Sequence, residues 1–355
     1  MIRRSEFVSK DKVSEFFFSG SAAGKDFISE AETLLGEYCA AVESAGCGEF
    51  CLILRFHLSD ITNQQPLLEE ILKKYPLKGY ISIVGQPPHN ARIALEAWHF
   101  DRVVKNYEFL FSGRSHASEK GSYDQTYGEF EYLAGMIGGD PMVGRVLRTW
   151  LYCRDVDNNY AGLVSARNDF FAAHGVTEKT GFIASTGIEG CCADPSQLVR
   201  MDAVSCTPLE AGQIQHLCAF DHLSPTTLYG VSFERGSKII YGDRAHYYIS
   251  GTASIDNAGR IMFERDVVNQ TRRMVENIEA LLREGGAELS DIKSATLYLR
   301  DLNDAADVTA VLFEKLPSSL PLVVLRAPVC RPGWLVEIEG IAVNAQGKAE
   351  FKDFI

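Results

Sequence analysis

The sequence has no run of apolar residues approaching the eighteen or so that a bilayer-spanning helix needs, so no membrane span is expected. Basic residues are scarce: 35 Lys and Arg against 47 Asp and Glu leave a net charge of −12. Nucleic-acid binding draws on an excess of Lys and Arg against phosphate, so neither RNA nor DNA is expected as a partner. An anionic ligand would need a local basic pocket in this acidic chain. CxxC, HExxH, GxSxG and GxxxxGK[ST] are all absent, and the eight histidines are scattered without ligand spacing, so no metal site is expected. The opening residues, MIRRSEFVSKDK, carry two arginines with no apolar run behind them, unlike a secretory signal. The cysteine count is odd, nine, and settings such as LGEYCAA and QHLCAF read as reduced core thiols of a cytoplasmic protein.

What is present is an internal repeat. A chain of 355 residues, 46% hydrophobic and 23% charged, can bury a sizeable core and has room for two or three domains. Near residue 250 it reads HYYISGTAS, then a helix-period stretch, VVNQTRRMVENIEALLREGG, closed by a glycine pair. A strand (SATLYLRDL), a helix (AADVTAVLFEKL) and two strand-like runs (PLVVLRAPVC, GWLVEIEGIAV) follow. The order is β-α-β-α-β-β, with a hairpin expected before the first helix. The same order occurs twice earlier. EFFFSGSAA leads to ISEAETLLGEYCAAVESAG, FCLILRFHL, the helix PLLEEILKKY, GYISIVGQPP and ARIALEAW. YEFLFSGRS leads to TYGEFEYLAGMIGG, GRVLRTWLYCRDV, YAGLVSARNDFFAAHG, GFIASTGIEG and LVRMDAVSC. A Ser-Gly pair recurs at Ser19-Gly20, Ser112-Gly113 and Ser250-Gly251, and an acid recurs in the last strand at Glu96, Asp202 and Glu339. The intervals from that Ser to that acid are 77, 90 and 89 residues.

The expected fold class is therefore α+β: three units in one chain, mixed sheets with helices on one face and the other face turned to a shared axis. The expected boundaries are 1–102, 103–210 and 228–355, with 211–227 as a linker. Such a pseudo-trimer would need no partner chain, and its three clefts need not be equivalent.

The copies differ two residues before the common acid, where the third has Glu337, the second Arg200 and the first Ala94. Residues i and i+2 of a strand share a face, about 7 Å apart. The shared acid thus suits a structural role, and Glu337, present once, suits chemistry. A neighbouring carboxylate would raise the pKa of one of the pair, as a general acid requires; the alternative is a solvated edge-strand residue. Cys330 lies seven residues earlier, read as the end of the preceding strand, with Arg331 beside it to lower its pKa, or simply as a core thiol. Arg148 in RVLRTWLY, Arg167 seven residues after Tyr160 on one helix face, and Arg235 in YGVSFERGS are the other candidates. Singly each suits a salt bridge; together they suit a pocket for a dicarboxylate, which Arg grips bidentately.

The third copy resembles the RidA/YjgF fold, through YGVSFERG, YISGTAS, QTRRMVENIEALLREGG, ATLYLRDLND and VEIEGIAV. RidA proteins are homotrimers with clefts between subunits. The arginine that RidA imine deaminases carry before the VEIE strand is Leu335 here, with Arg92 and Leu198 at that place in the other copies. With CRPGWLVEIEG on a chain of this length, the sequence more closely resembles the chorismatases, of the 3-hydroxybenzoate synthase kind. That resemblance implies cofactor-independent release of the enolpyruvyl group of chorismate as pyruvate, with Glu337 protonating the enolpyruvyl methylene. It implies Cys330, at the interval of the aromatising subtype, as a determinant of 3-hydroxybenzoate formation. Arg148, Tyr160, Arg167, Arg235 and Arg331 become the expected substrate contacts. A dihydroxycyclohexadiene carboxylate or a mixture of 3- and 4-hydroxybenzoate are the alternative products. An imine deaminase and a non-catalytic small-acid-binding protein are the alternatives of another class.

Overall fold

The structure, a computed structural model, describes residues 1–47, 51–115, 120–139 and 142–355. The first sheet holds β1 (Ile2–Val8), β2 (Ser14–Ser21), β3 (Cys51–Leu58), β4 (Tyr80–Gly85) and β5 (Ile93–Phe100), in the order β1-β2-β5-β3-β4. It carries the helices α1 (Phe27–Ala45) and α2 (Ile61–Leu72). The second holds β6 (Leu110–Ser115), β7 (Val146–Cys153), β8 (Ala184–Glu189) and β9 (Val199–Ser205), in the order β6-β9-β7-β8, with α3 (Gly121–Met136) and α4 (Val156–Ala173). The third runs β10 (Ile214–Leu217), β11 (Gly236–Ile240), β12 (Ala245–Ala253), β15 (Val336–Asn344), β13 (Ile292–Leu299) and β14 (Leu322–Arg326), with α5 (Val267–Glu284) and α6 (Ala305–Leu312). Each sheet thus repeats one core order, and its single parallel pair (β3/β4, β7/β8, β13/β14) is joined by the crossover helix such a pair requires.

Strand alternation divides the faces. In β5, Ile93, Leu95 and Ala97 pack with Leu34, Leu35 and Leu68 of α1 and α2, while Ala94 and Trp98 turn to a core shared with the other two sheets. Buried polar groups close that shared core. Arg55, Trp150 and Thr296 stand opposite the acids of their own sheets, Glu96, Asp202 and Glu339. Each donates to the acid of the next sheet: Arg55 Nε to Asp202 (3.2 Å), Trp150 Nε1 to Glu339 (2.6 Å) and Thr296 Oγ1 to Glu96 (3.0 Å). The contacts run in one cyclic sense, first sheet to second to third to first. Three isolated bridges, Gly85–Cys191, Ile188–Val329 and Leu325–Pro88, run round the same circuit.

Four local features depart from the sequence reading. α2 begins at Ile61, five residues before Pro66, which lies inside the helix; Asp60 caps the earlier start through Asn63 N. α4 starts at Val156 rather than Tyr160, because the Glu189 carboxylate accepts from the amides of Asp155 and Val156. Residues 211–227, read as a linker, contain β10, which pairs with β11 at the edge of the third sheet. Cys330 lies beyond β14, which ends at Arg326: Pro328 has no N–H for the ladder, and Val329 bridges to the second sheet instead.

Replacing Arg55 by Leu should cost about 3 kcal/mol or more of unfolding free energy in a denaturant titration, because the buried Asp202 carboxylate and the partly buried Glu96 lose a shared guanidinium.

Candidate active site

A small pocket of about 30 Å³ lies where β8 and α4 of the second sheet's unit meet β12 and β15 of the third. α4 contributes Tyr160 and Arg167, β8 contributes Ser185, Thr186 and Gly187, and the third unit contributes Arg235, Gly251, Cys330, Arg331, Trp334 and Glu337. The two halves are stitched by short polar bonds. Gly251 N donates to Thr186 Oγ1 (2.8 Å), and Ser185 N donates to Ser250 Oγ (2.9 Å), whose hydroxyl donates to Glu234 O (2.6 Å).

Glu337 is the second residue of β15, 5% exposed, between Ala253 and Tyr298. Burial pushes its carboxyl up to about 8, and the charge of Glu339 pushes the same way, against the opposing effect of Arg148 and Arg235. The side chain is therefore mostly a neutral acid at pH 7. Gly251 makes room for it: a Cβ there would overlap the Glu337 carboxyl. Gly187 does the same for Tyr160, whose ring would lie 3.0 Å from an added Cβ.

Arg167 is 1% exposed, its guanidinium near the Phe233 ring, and its Nε and Nη2 have no hydrogen-bond partner among the described residues. A buried guanidinium without partners is costly unless an anion meets it. Arg235 is oriented by Ser224, whose carbonyl accepts from Nε (3.3 Å) and Nη2 (3.1 Å), and packs against Tyr229 and Phe233. Arg331 donates to Tyr229 O (3.3 Å) and lies over the Tyr229 and Trp334 rings. Gln270 of α5 fixes this loop by donating to Gly333 O (2.9 Å) and accepting from Leu335 N (2.9 Å).

Cys330, half-buried, lines the pocket with Tyr160, and its thiol is pushed up to about 12 by burial and by the charge of Glu337. Arg331 lowers it as expected, and Arg167 does too, but burial outweighs both. At neutral pH Cys330 is a thiol, suited to hydrogen bonding and shape and not to nucleophilic attack.

Of the seven residues singled out from sequence, six line one pocket: Glu337, Cys330, Tyr160, Arg167, Arg235 and Arg331. Arg148 does not line it. It lies one layer behind, donating to Glu339 (2.7 Å) and to the Thr186 hydroxyl. Thr186, Gly187, Tyr229, Phe233 and Trp334 also line the pocket, unforeseen in the sequence. Only Gly251 had a visible signal, the recurrent Ser-Gly pair. Among the described residues no group of three His, Cys, Asp or Glu is placed to hold a metal ion, and no helix is long and apolar enough to cross a membrane.

The family described as Endoribonuclease L-PSP matches residues 237–344. A RutC family protein of Pyrococcus abyssi is 36% identical over 96 residues, 27% of this chain and 76% of that protein. A 2-iminobutanoate/2-iminopropanoate deaminase of Capra hircus is 32% identical over 109 residues, 30% of this chain and 79% of that protein. Through its third unit the chain belongs to the endoribonuclease L-PSP family, the RidA/YjgF group. Over the longer span it shares the fold of a crystal structure of a chorismatase: TM-score 0.67, 19% identity, 83% of this chain and 93% of the other.

Arg167→Met should leave the unfolding temperature unchanged or raise it, since it removes an unpaired buried charge, while weakening binding of a small carboxylate at least about tenfold. Gly251→Ala should keep the fold and displace Glu337, which would be read as a loss of activity without a loss of thermal stability.

Proposed function

We propose that the chain is a cofactor-independent chorismatase that converts chorismate to pyruvate and 3-hydroxybenzoate. The observation that carries this reading is a neutral carboxylic acid, Glu337, in the same pocket as the unpartnered guanidinium of Arg167. Enol ether cleavage needs a strong, partly desolvated proton donor, and a substrate with two carboxylates needs cationic anchors. The fold shared with a chorismatase over 83% of the chain adds support.

In this reading Arg167, Arg235 and Arg331 hold the substrate carboxylates, and Tyr160 and Cys330 shape the wall beside the ring. Glu337 transfers its proton to the enolpyruvyl methylene. The resulting oxocarbenium ion is stabilised by the carboxylate left behind. Attack by the ring hydroxyl, with return of a proton to Glu337, transfers the three-carbon unit within the substrate. Aromatisation then releases pyruvate and 3-hydroxybenzoate, whose atoms together equal those of chorismate. Water in place of the ring hydroxyl would give the dihydroxycyclohexadiene carboxylate. Cys330, a neutral thiol lining the pocket with Tyr160, helps exclude that water. Arg148 acts as a positioning residue by holding Glu339.

The same reading makes the chain a pseudo-trimer of units 1–102, 103–210 and 228–355, monomeric and cytoplasmic, with a small dicarboxylate as its partner and no nucleic acid. The cyclic contacts of Arg55, Trp150 and Thr296 support the three-unit arrangement, and the net charge of −12 argues against RNA as substrate.

Incubation with chorismate, with chromatographic separation of products and a coupled pyruvate assay, tests the proposal. Pyruvate with 3-hydroxybenzoate is expected; no pyruvate above the spontaneous background would overturn it. Glu337→Gln should reduce turnover by at least about 10³-fold in a folded protein. For wild type, kcat/KM should fall as pH rises through about 8, because the active form is the protonated acid. A second reading, hydrolysis of reactive imines, is favoured by the identity to the Capra hircus deaminase. It predicts ammonia release from a generated imine, and Leu335 in place of the expected arginine argues against it.

A further inference from the structure

The three sheets form two further clefts, and these differ in a telling way. Between the first and second sheets Arg200, at the position of Glu337, fills the space itself: it donates to Ile83 O (2.7 Å) and to the Ser82 hydroxyl (2.9 Å). Between the third and first sheets that position is Ala94, and the cleft stays open, with a volume of about 400 Å³.

Its chemistry is one-sided. In a chain with 47 acidic residues, none of the side chains lining this cleft is Asp or Glu, while Arg3 and His89 are present. The Arg3 guanidinium lies 5.7 Å from the Phe313 ring centroid and donates to Leu320 O at 3.4 Å, a long bond on one of its nitrogens. Phe313 and Val323 supply an apolar wall. Ser19 lines the same cleft, 1% exposed, and its Oγ has no hydrogen-bond partner among the described residues. The corresponding hydroxyl of the third sheet, Ser250, is bonded on both sides. A buried hydroxyl without a partner is unfavourable and is satisfied by a ligand that reaches it.

We propose that the open cleft between the first and third sheets binds a small monocarboxylate with an apolar body, without transforming it. Arg3 meets the carboxylate, Ser19 bonds a polar atom of the ligand, and Phe313 and Val323 cover its apolar part. Ala94 in place of an acid leaves the anion unopposed and removes the proton donor. The proposal rests on this cleft alone and does not depend on the reaction assigned to Glu337.

The test uses the full chain and 3-fluorobenzoate, followed by fluorine NMR. Arg167→Met serves as the parent, so that the Glu337 pocket contributes little. The parent should bind one equivalent saturably. Arg3→Ala, and separately Ala94→Glu, should each weaken that binding at least about tenfold, as loss of a cation or gain of a repelling charge requires. Arg3 is exposed, so its replacement keeps the test valid should Ala94→Glu fail to fold. No saturable binding to the parent, or binding indifferent to Arg3→Ala, would overturn the proposal.

Discussion

The Glu339 carboxylate is the fixed point on which the pocket depends. Arg148 and Trp150, both from the second sheet, hold it by two bonds in the shared core. Two residues along the same strand face stands Glu337, buried beside that charge and given no such pair of donors. One acid is tied down by partners; the other is left to be neutral by desolvation and by its neighbour. The division of labour follows from where donors stand: Arg148 and Trp150 reach Glu339 and leave Glu337 to the pocket. The backbone contributes a matching constraint, since only glycine at 251 lets the Glu337 carboxyl pack against β12.

The same geometry, met three times with different side chains, gives three outcomes. An arginine at the variable position seals one cleft by bonding its opposite wall. An alanine leaves another open and free of acids. A glutamate places a buried neutral carboxyl in the third. The acids next to these positions, Glu96, Asp202 and Glu339, are each engaged by the preceding sheet in the cycle, so variation beside them leaves the core contacts in place. Retention of one position and divergence of its neighbour on the same face is what separates structure from chemistry here.

Much of this was legible in the residues because periodicity and repetition act locally. The order of elements followed from hydrophobic periods and glycine stops, and Glu337 stood out as the acid found in one copy only. Tyr160 and Arg167, seven apart on a helix, do face one pocket. What was not legible depends on contacts between distant segments. Arg148 sits mid-strand, and strand parity gives its face but not the acid it meets across the core. Thr186 and Trp334 carry no pattern that marks them; the first enters through sheet-to-sheet contact, and the second through a loop anchored by Gln270. Arg331 neighbours Cys330 in sequence, yet its guanidinium turns to Tyr229 and Trp334, and burial then governs the thiol. The early start of α4 has the same origin, since its cap comes from Glu189 of another element.

The central claim is that Glu337 is a neutral carboxylic acid at physiological pH. Infrared difference spectroscopy of the ligand-free protein against Glu337→Gln, recorded across a pH titration, reads the carbonyl stretch of that one protonated carboxyl. The account predicts a band present at pH 7 that disappears with a midpoint near 8. A carboxyl already ionised at about pH 5, the ordinary range for glutamate, would contradict it.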